Sequence, residues 1–323
     1  MRLCILAAAF AALALPAAAQ DCADGQRAFE HLGGTTCIPE APQRIVSLHD
    51  QQITLTLIEL GAPVVGSHGR TGGADDEPFM RSVRLIYGMD FDNSGIAYVG
   101  SFGAMDYEAI AALDPDLIIG REWEMEARER FEAVAPTVLI DRDAGAPLDF
   151  SRAVADAAGH LRDWERMNAA FEATVARARA ALPVPEGTTY AKIQVDLDGA
   201  FTVYAGYGGL TLILEQLGLE RVPFAQEMSD RGVAWGEDVS PEIIPQLNAD
   251  YVFDTYTIAY GDTLADPAGR LTNIFPAWCD MLSACGEGRY IVLPREYASG
   301  MSFAELNATV HLVTTHIARS PAE

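Results

Sequence analysis

Lysine is all but missing from this chain. Of its 22 Lys and Arg side chains one alone, Lys192, is a lysine, and no glycine-rich loop precedes it. A phosphate-cradling P-loop is thereby excluded. Cationic side chains of either kind are few beside 46 Asp and Glu, and the formal net charge is −24. Such a chain lacks the basic footprint that a nucleic acid needs, and anionic membrane surfaces are disfavoured too. Solubility accounts for much of the acidity, so no cationic ligand is read from it. After residue 19 no apolar run reaches the roughly 18 residues of a membrane helix. The six histidines form no H-E-x-x-H, and His311 and His316 stand five apart, on different helix faces. There is no G-x-S-x-G elbow. Gly206-Tyr207-Gly208-Gly209 follows a predicted strand, but Thr211 replaces the third glycine of a dinucleotide loop, so turn geometry explains it better. His49 and His68 can approach one another at adjacent strand ends, with ordinary polar packing as their competing role.

What is present begins with a leader. Arg2, an apolar run over 3–15 and Ala17-Ala18-Ala19 form a signal peptide over 1–19, cleaved near Ala19. Its removal leaves Cys22, Cys37, Cys279 and Cys285. An even number in an exported chain points to two disulfides, and local pairing is the simplest of three connectivities. Closing the 22–37 loop would be worth about 3 kcal/mol in the chain-entropy model. A metal site is the competing reading, but no pair has C-x-x-C spacing. Gln20-Asp21 before Cys22 makes it a poor acylation site, so a soluble periplasmic protein is expected.

The segment 163–182 organises the rest. Apolar residues recur there at Trp164, Met167, Phe171, Val175, Ala178 and Leu182, one stripe of a helix about 30 Å long. Asp163 serves as its N-cap, and Pro183 and Pro185 end it. On either side, short apolar strands alternate with helices. In the first half the strands are 44–48, 63–66, 97–100, 116–120 and 137–141, with helices at 52–60, 107–113, 125–134 and 150–158. A long loop, 67–95, is expected to hold at most one helical turn. In the second half the strands are 190–195, 201–204, 222–224, 250–254 and 290–293, with helices at 210–217, 241–247, around 274–283 and at 303–317. The pattern predicts an α/β fold: two Rossmann-like lobes with parallel-rich sheets, 20–160 and 184–323, joined by a single long α-helix over 161–183. The bland alternative is a surface helix within one large domain. Nothing asks for an oligomer, and a monomer is expected.

Ligands of open α/β sheets sit beyond the carboxyl ends of the strands, so two lobes place a ligand cleft between them. In the first lobe that rule points to His49, Asp50, Ser67, His68, Arg70, Ser101, Phe102, Arg121 and Trp123, and in the second to Tyr204, Tyr207, Trp235, Thr255, Tyr256 and Arg295. All but Asp50, Ser67, His68, Phe102 and Thr255 are taken as ligand-binding candidates. Arg121, Trp123, Tyr207 and Trp235 are the foremost of these. Arginine forks hold carboxylate or hydroxamate oxygens, and aromatics supply rigid apolar walls, so the ligand is a large anionic one. The competing reading of each residue is that it covers its own lobe.

Several stretches resemble a known family. They are Pro42-Gln43-Arg44-Ile45-Val46-Ser47-Leu48, Val99-Gly100, the run from Asp106-Tyr107-Glu108 through Leu113-Asp114-Pro115-Asp116 to Gly120, and Ala135-Pro136-Thr137-Val138. In the second half they are Val239-Ser240-Pro241-Glu242 through Asn248-Ala249-Asp250 to Phe253, and Gly288-Arg289-Tyr290. In order and spacing the chain resembles the periplasmic binding proteins of iron-siderophore, haem and cobalamin importers, most of all those that handle ferric siderophores. The resemblance implies capture of a ferric siderophore and delivery to the permease dimer of an inner-membrane ABC importer. Iron would be carried within the ligand, with no cofactor bound directly, no catalytic residue and no metal ligand from the protein. It also implies that Glu108 and Glu242, one per lobe, dock into arginine pockets of the permease; a simple helix-start preference is the alternative. A haem or cobalamin carrier is the rival within the class, with Tyr207 or His68 as haem ligand. An exported metal-dependent enzyme on two α/β lobes, or a sensor that binds ligand without transport, is the rival outside it.

Overall fold

The structure, a computed structural model, describes residues 22–71, 77–182 and 184–319; the leader expected over 1–19 lies outside them. The first ordered feature is a hairpin. Gln26–His31 pairs antiparallel with Gly34–Pro39 around a Leu32-Gly33 turn. A disulfide joins Cys22 to Cys37 across its base, and a second joins Cys279 to Cys285.

The apolar stretch at 44–48 becomes the strand Ile45–Ser47, wholly buried because helices cover both faces of its sheet. This first sheet is parallel throughout. Its five strands run in the order Ala97–Tyr98, Val64–Ser67, Ile45–Ser47, Leu117–Arg121, Thr137–Ile140. The second sheet is mixed. Gly236–Asp238 and Phe201–Tyr204 are antiparallel strands at one side of Thr189–Val195, and Tyr251–Tyr256 and Tyr290–Pro294 continue parallel on the other.

Several local expectations change, among them the helix around 274–283, which is instead Asp266–Ile274 followed by the short Trp278–Met281. The strand expected at 222–224 is only Glu220–Arg221, and Pro223 opens a helix, Pro223–Asp230, where its fixed φ suits a first helical position. The loop at 67–95 contains a two-turn helix, Arg81–Tyr87, ended by Gly88 at φ 63°. The helix expected at 125–134 is a 3-10 segment, Glu122–Ala127, followed by the short helix Arg128–Glu132. The long helix runs Leu161–Ala181, so His160 stands at its N-cap and Asp163 lies inside the first turn, bonded to His160 and Arg166.

That helix buries Trp164, Phe171 and Val175. They join one apolar cluster with Leu210, Leu214, Phe303 and Leu306 from the second half and Leu60 and Ala155 from the first. Apolar packing therefore crosses the expected lobe boundary at 160. Polar bonds cross it too. Gln51 Nε2 donates to Glu305 Oε1 at 3.1 Å and to the Glu296 carbonyl at 3.3 Å. The Glu59 carboxylate accepts from the N–H groups of Phe303 and Ala304, capping Phe303–Arg319 from the other lobe.

The two lobes share one fastening. Asp116, just before Leu117–Arg121, accepts from the backbone N–H groups of Gln43 and Arg44 at 2.6 and 2.9 Å. Asp250, just before Tyr251–Tyr256, accepts from the Thr189 N–H at 2.7 Å. In each lobe an aspartate ahead of one central strand holds the entry of its parallel neighbour. The wide spacing between 42–48 and 114–116 in sequence is closed by these bonds.

Lys192 lies wholly buried in the second sheet. Its ammonium donates to the Ile193 carbonyl at 2.6 Å, stands 3.7 Å from Asp254 and lies over the rings of Tyr204 and Tyr207. Burial pushes its pKa down to about 7, against the partial compensation of Asp254. An unfolded lysine titrates near ~10.4, so between those values the unfolded chain binds the extra proton and stability rises with pH. The slope approaches about 1.4 kcal/mol per pH unit. The urea midpoint is expected to climb from pH 7.5 to 9.5 in the native protein and to stay level in Lys192→Met. A level native profile would remove the buried, depressed lysine from the account.

Candidate functional site

The carboxyl ends of both sheets open on one cleft of about 410 Å³ between the lobes. His49 comes from the end of Ile45–Ser47, Arg70 from beyond Val64–Ser67, and Phe102 from the turn joining Gly100–Ser101 to Ala104–Met105. Arg121 and Trp123 follow from Leu117–Arg121, and Arg142 lies just past Thr137–Ile140. The helix Arg81–Tyr87 contributes Arg81. The second lobe supplies Trp235, ahead of Gly236–Asp238, and Arg295, after Tyr290–Pro294. Five guanidinium groups thus converge in a chain of net charge −24.

They are held differently. Arg70 is bidentate on Asp50, with Nε 2.9 Å from Oδ2 and Nη2 3.0 Å from Oδ1. Burial alone would raise the Asp50 carboxyl, but Arg70, with His68 and His49, holds it well below the usual carboxylate range. Arg121 pairs with Glu122, donates to Gln52 Oε1 at 2.7 Å and lies 3.7 Å over the Trp123 ring. Arg142 reaches across the cleft to stand 5.0 Å over Trp235. The Arg81 side chain donates to the neutral Gln51 Oε1 at 2.5 Å, and its backbone N–H to Asp50 Oδ2 at 3.1 Å. The Nε atoms of Arg81 and Arg295 are buried without a hydrogen-bond partner. Orphaned buried donors are costly, and both of these belong to side chains that line the cleft.

The first-lobe wall is aromatic. His49 and His68 stack with ring centroids 5.9 Å apart, so the pair does meet. Phe102 covers His68 at 4.1 Å and touches Trp123 at 5.3 Å, with both Phe102 and Trp123 more than 40% exposed. Burial drives the His49 pKa well below its ordinary value, and its Nδ1 accepts from the Gln52 N–H, so the ring is neutral at pH 7. Among the described residues no group of three or more His, Cys, Asp or Glu is placed to hold a metal ion.

The cleft thus gathers Arg70, His49, Arg121, Trp123, Trp235 and Arg295 from the residues selected in the sequence. It does not gather the other four. Tyr207 is 0% exposed; its ring stacks behind Trp235 at 4.9 Å, and its hydroxyl bonds Thr255 and Gln194. Tyr204 stands edge-on to both rings. The two tyrosines are a supporting layer that fixes Trp235. Ser101 turns to Tyr98 and the Gly69 carbonyl, and Tyr256 ends its strand outside the lining. Gln52, Arg81 and Arg142 are lining residues that the sequence reading passed over. Arg142 had a readable signal, since it follows the fifth strand as Arg121 follows the fourth.

Glu108 and Glu242 are both exposed, each in the first turn of a helical segment, Tyr107–Ala112 and Pro241–Leu247. Asp106 caps the first by accepting from Ala109 N–H, and Ser240 caps the second. Each glutamate stands two residues after its cap and eight before the fastening aspartate, Asp116 or Asp250. The two lobes therefore present them at equivalent positions.

Comparisons with known proteins agree on one lineage. The family model described as periplasmic binding protein matches residues 45–263. The probable siderophore-binding lipoprotein YfiY of Bacillus subtilis (strain 168) is 29% identical over 233 residues, covering 70% of this chain and 68% of that protein. Among solved structures, Staphylococcus aureus SirA complexed with staphyloferrin B superposes with a TM-score of 0.70 at 21% identity, over 91% of this chain and 97% of that one. Staphylococcus aureus FhuD2 with bound ferrioxamine B gives 0.67 at 18% identity, over 86% and 99%.

Proposed function

Since this chain belongs to the family of periplasmic binding proteins, we propose that it captures an anionic ferric siderophore and hands it to an ATP-driven importer of the inner membrane. It is a binding protein and not an enzyme. The observation that carries the reading is the convergence of five arginines, two with orphaned Nε donors, on one aromatic-walled cleft of an acidic chain. Carboxylate or hydroxamate oxygens of the chelate would take the free donors of Arg81 and Arg295, while Trp123, Phe102 and Trp235 pack its body. Iron is cargo, held by the siderophore. Proteins similar to this one are described with siderophores: YfiY as probably siderophore-binding, SirA with staphyloferrin B and FhuD2 with ferrioxamine B.

Handover would use Glu108 and Glu242 as the two contacts with the permease dimer, and the bonds of Gln51 and Glu59 across the lobes favour small lobe movements during capture. The protein would act after export, with its leader removed near Ala19. YfiY is a lipoprotein by name, whereas Cys22 of this chain is joined to Cys37 and offers no thiol for a lipid.

Titration with a panel of ferric siderophores, haem and cobalamin tests the reading through tryptophan fluorescence, corrected for absorption by the ligand. Saturable quenching by a ferric siderophore at micromolar or tighter affinity, lost in Trp235→Phe with Trp123→Phe, is the expected result. Tight haem binding with a Soret band would overturn it in favour of a haem carrier.

A further inference from the structure

The arginine cleft does not end at Arg142. Behind that side chain and Trp235 a second crevice of about 230 Å³ continues along the seam between the lobes. Gln52, Arg142 and Asp143 line both spaces, so the two adjoin at these side chains. The lining past them is mixed. Pro147 and Phe150 from the first lobe and Leu212 and Met301 from the second supply an apolar strip beside Ser151 and Thr211, and the Arg221–Glu215 ion pair at 2.6 Å neutralises its own charges at the wall.

The glycine loop 206–209 builds the second-lobe side. A Cβ on Gly206 would strike the Ala234 carbonyl, and Cβ atoms on Gly208 and Gly209 would strike the carbonyls of Ser299 and Gly300. Gly208 also needs φ 53°. The three glycines let the loop lie flat against its neighbours, and Thr211 Oγ1 accepts from the Tyr207 N–H to hold it there. This loop resembles a phosphate loop in spelling only; it shapes the crevice wall.

We propose that this crevice is a second subsite that takes an aliphatic arm of the ligand whose anionic end lies among the arginines, with Arg142 over Trp235 as the gate between the two. The inference rests on the proposed capture of an anionic chelate and adds a ligand class: amphiphilic siderophores with an acyl or alkyl appendage. At a water's share of volume, about 30 Å³, the crevice has room for roughly seven or eight waters, and an alkyl chain of similar heavy-atom count would displace them.

The probes are straight-chain monocarboxylates from butanoate to decanoate, below their micelle concentrations, measured by calorimetry on the full mature protein. Each methylene buried should tighten binding about two- to fourfold, levelling off near eight carbons. Ala146→Phe, at the exposed rim of the crevice, and Leu212→Trp, within it, should abolish the chain-length dependence and leave butanoate binding as it was. Either variant serves if the other fails to fold. Affinity independent of chain length, a dependence that survives both substitutions, or no binding of decanoate overturns the subsite. None of those outcomes touches the titration with ferric siderophores, which reads the arginine cleft, and failure of that titration leaves the carboxylate series interpretable.

Discussion

With Glu108 and Glu242 both replaced by arginine, uptake of the ferric siderophore falls to the level of cells lacking the protein, while ligand affinity stays within about twofold. Both carboxylates are exposed and neither lines the cleft, so their reversal leaves the arginines in place. Like charges set against one another at an interface cost several kcal/mol and slow encounter as well. The shared spacing sharpens the expectation. Each glutamate keeps the same offset from its cap and from the aspartate that fastens its lobe. A residue serving only its own helix start would not need that equivalence in both lobes. Single reversals should fall between the native protein and the double variant. Transport of labelled chelate into whole cells, with calorimetry on the purified variants, checks both halves; undiminished uptake by the double variant would dismiss the docking role.

The second large effect belongs to Arg81 and Arg295. Replacing either by alanine should weaken ferric-siderophore binding by about 10- to 100-fold, as charge-assisted hydrogen bonds are worth roughly 1.5–3 kcal/mol. The ligand-free protein should not lose stability, because each substitution removes a buried cation with an orphaned donor. Arg70→Ala should behave differently. Asp50 would be left buried without its bidentate partner, so this variant should melt earlier whether or not ligand is present. Calorimetric Kd values beside urea midpoints separate the two classes. Affinity within twofold of native in the Arg81→Ala, Arg295→Ala double variant would mean that these two guanidinium groups do not meet the ligand.

How far this site was legible depended on which physical cue carried each part. The parallel core was plain because buried strands such as Ile45–Ser47 and Thr137–Ile140 leave uninterrupted apolar runs. The rule that ligands sit beyond strand ends led to Arg121, Trp123 and Arg295, and pursued one strand further it reaches Arg142. Arg81 was hidden by its helix, which lies between glycine-rich and acidic stretches and has too few turns to show a clear period. The layering of Tyr204 and Tyr207 behind Trp235 was beyond sequence, since strand-end position does not say which of several aromatics faces outward. Asp163 was misplaced as a cap because His160, not a usual capping residue, stands at the start of the helix. The Pro223 helix was missed because Val222 and Phe224 read as strand on apolar character alone.

The solitary lysine has a practical corollary for handling the molecule. Its ammonium is enclosed by protein on every side, so the native surface offers no side-chain amine at all. Reagents that acylate amines, from biotin esters to the usual bifunctional cross-linkers, find no lysine to attach to while the fold is intact. Attachment through a side chain must instead use carboxylates or an introduced cysteine, and acylation of Lys192 becomes a direct chemical gauge of how often the second lobe opens.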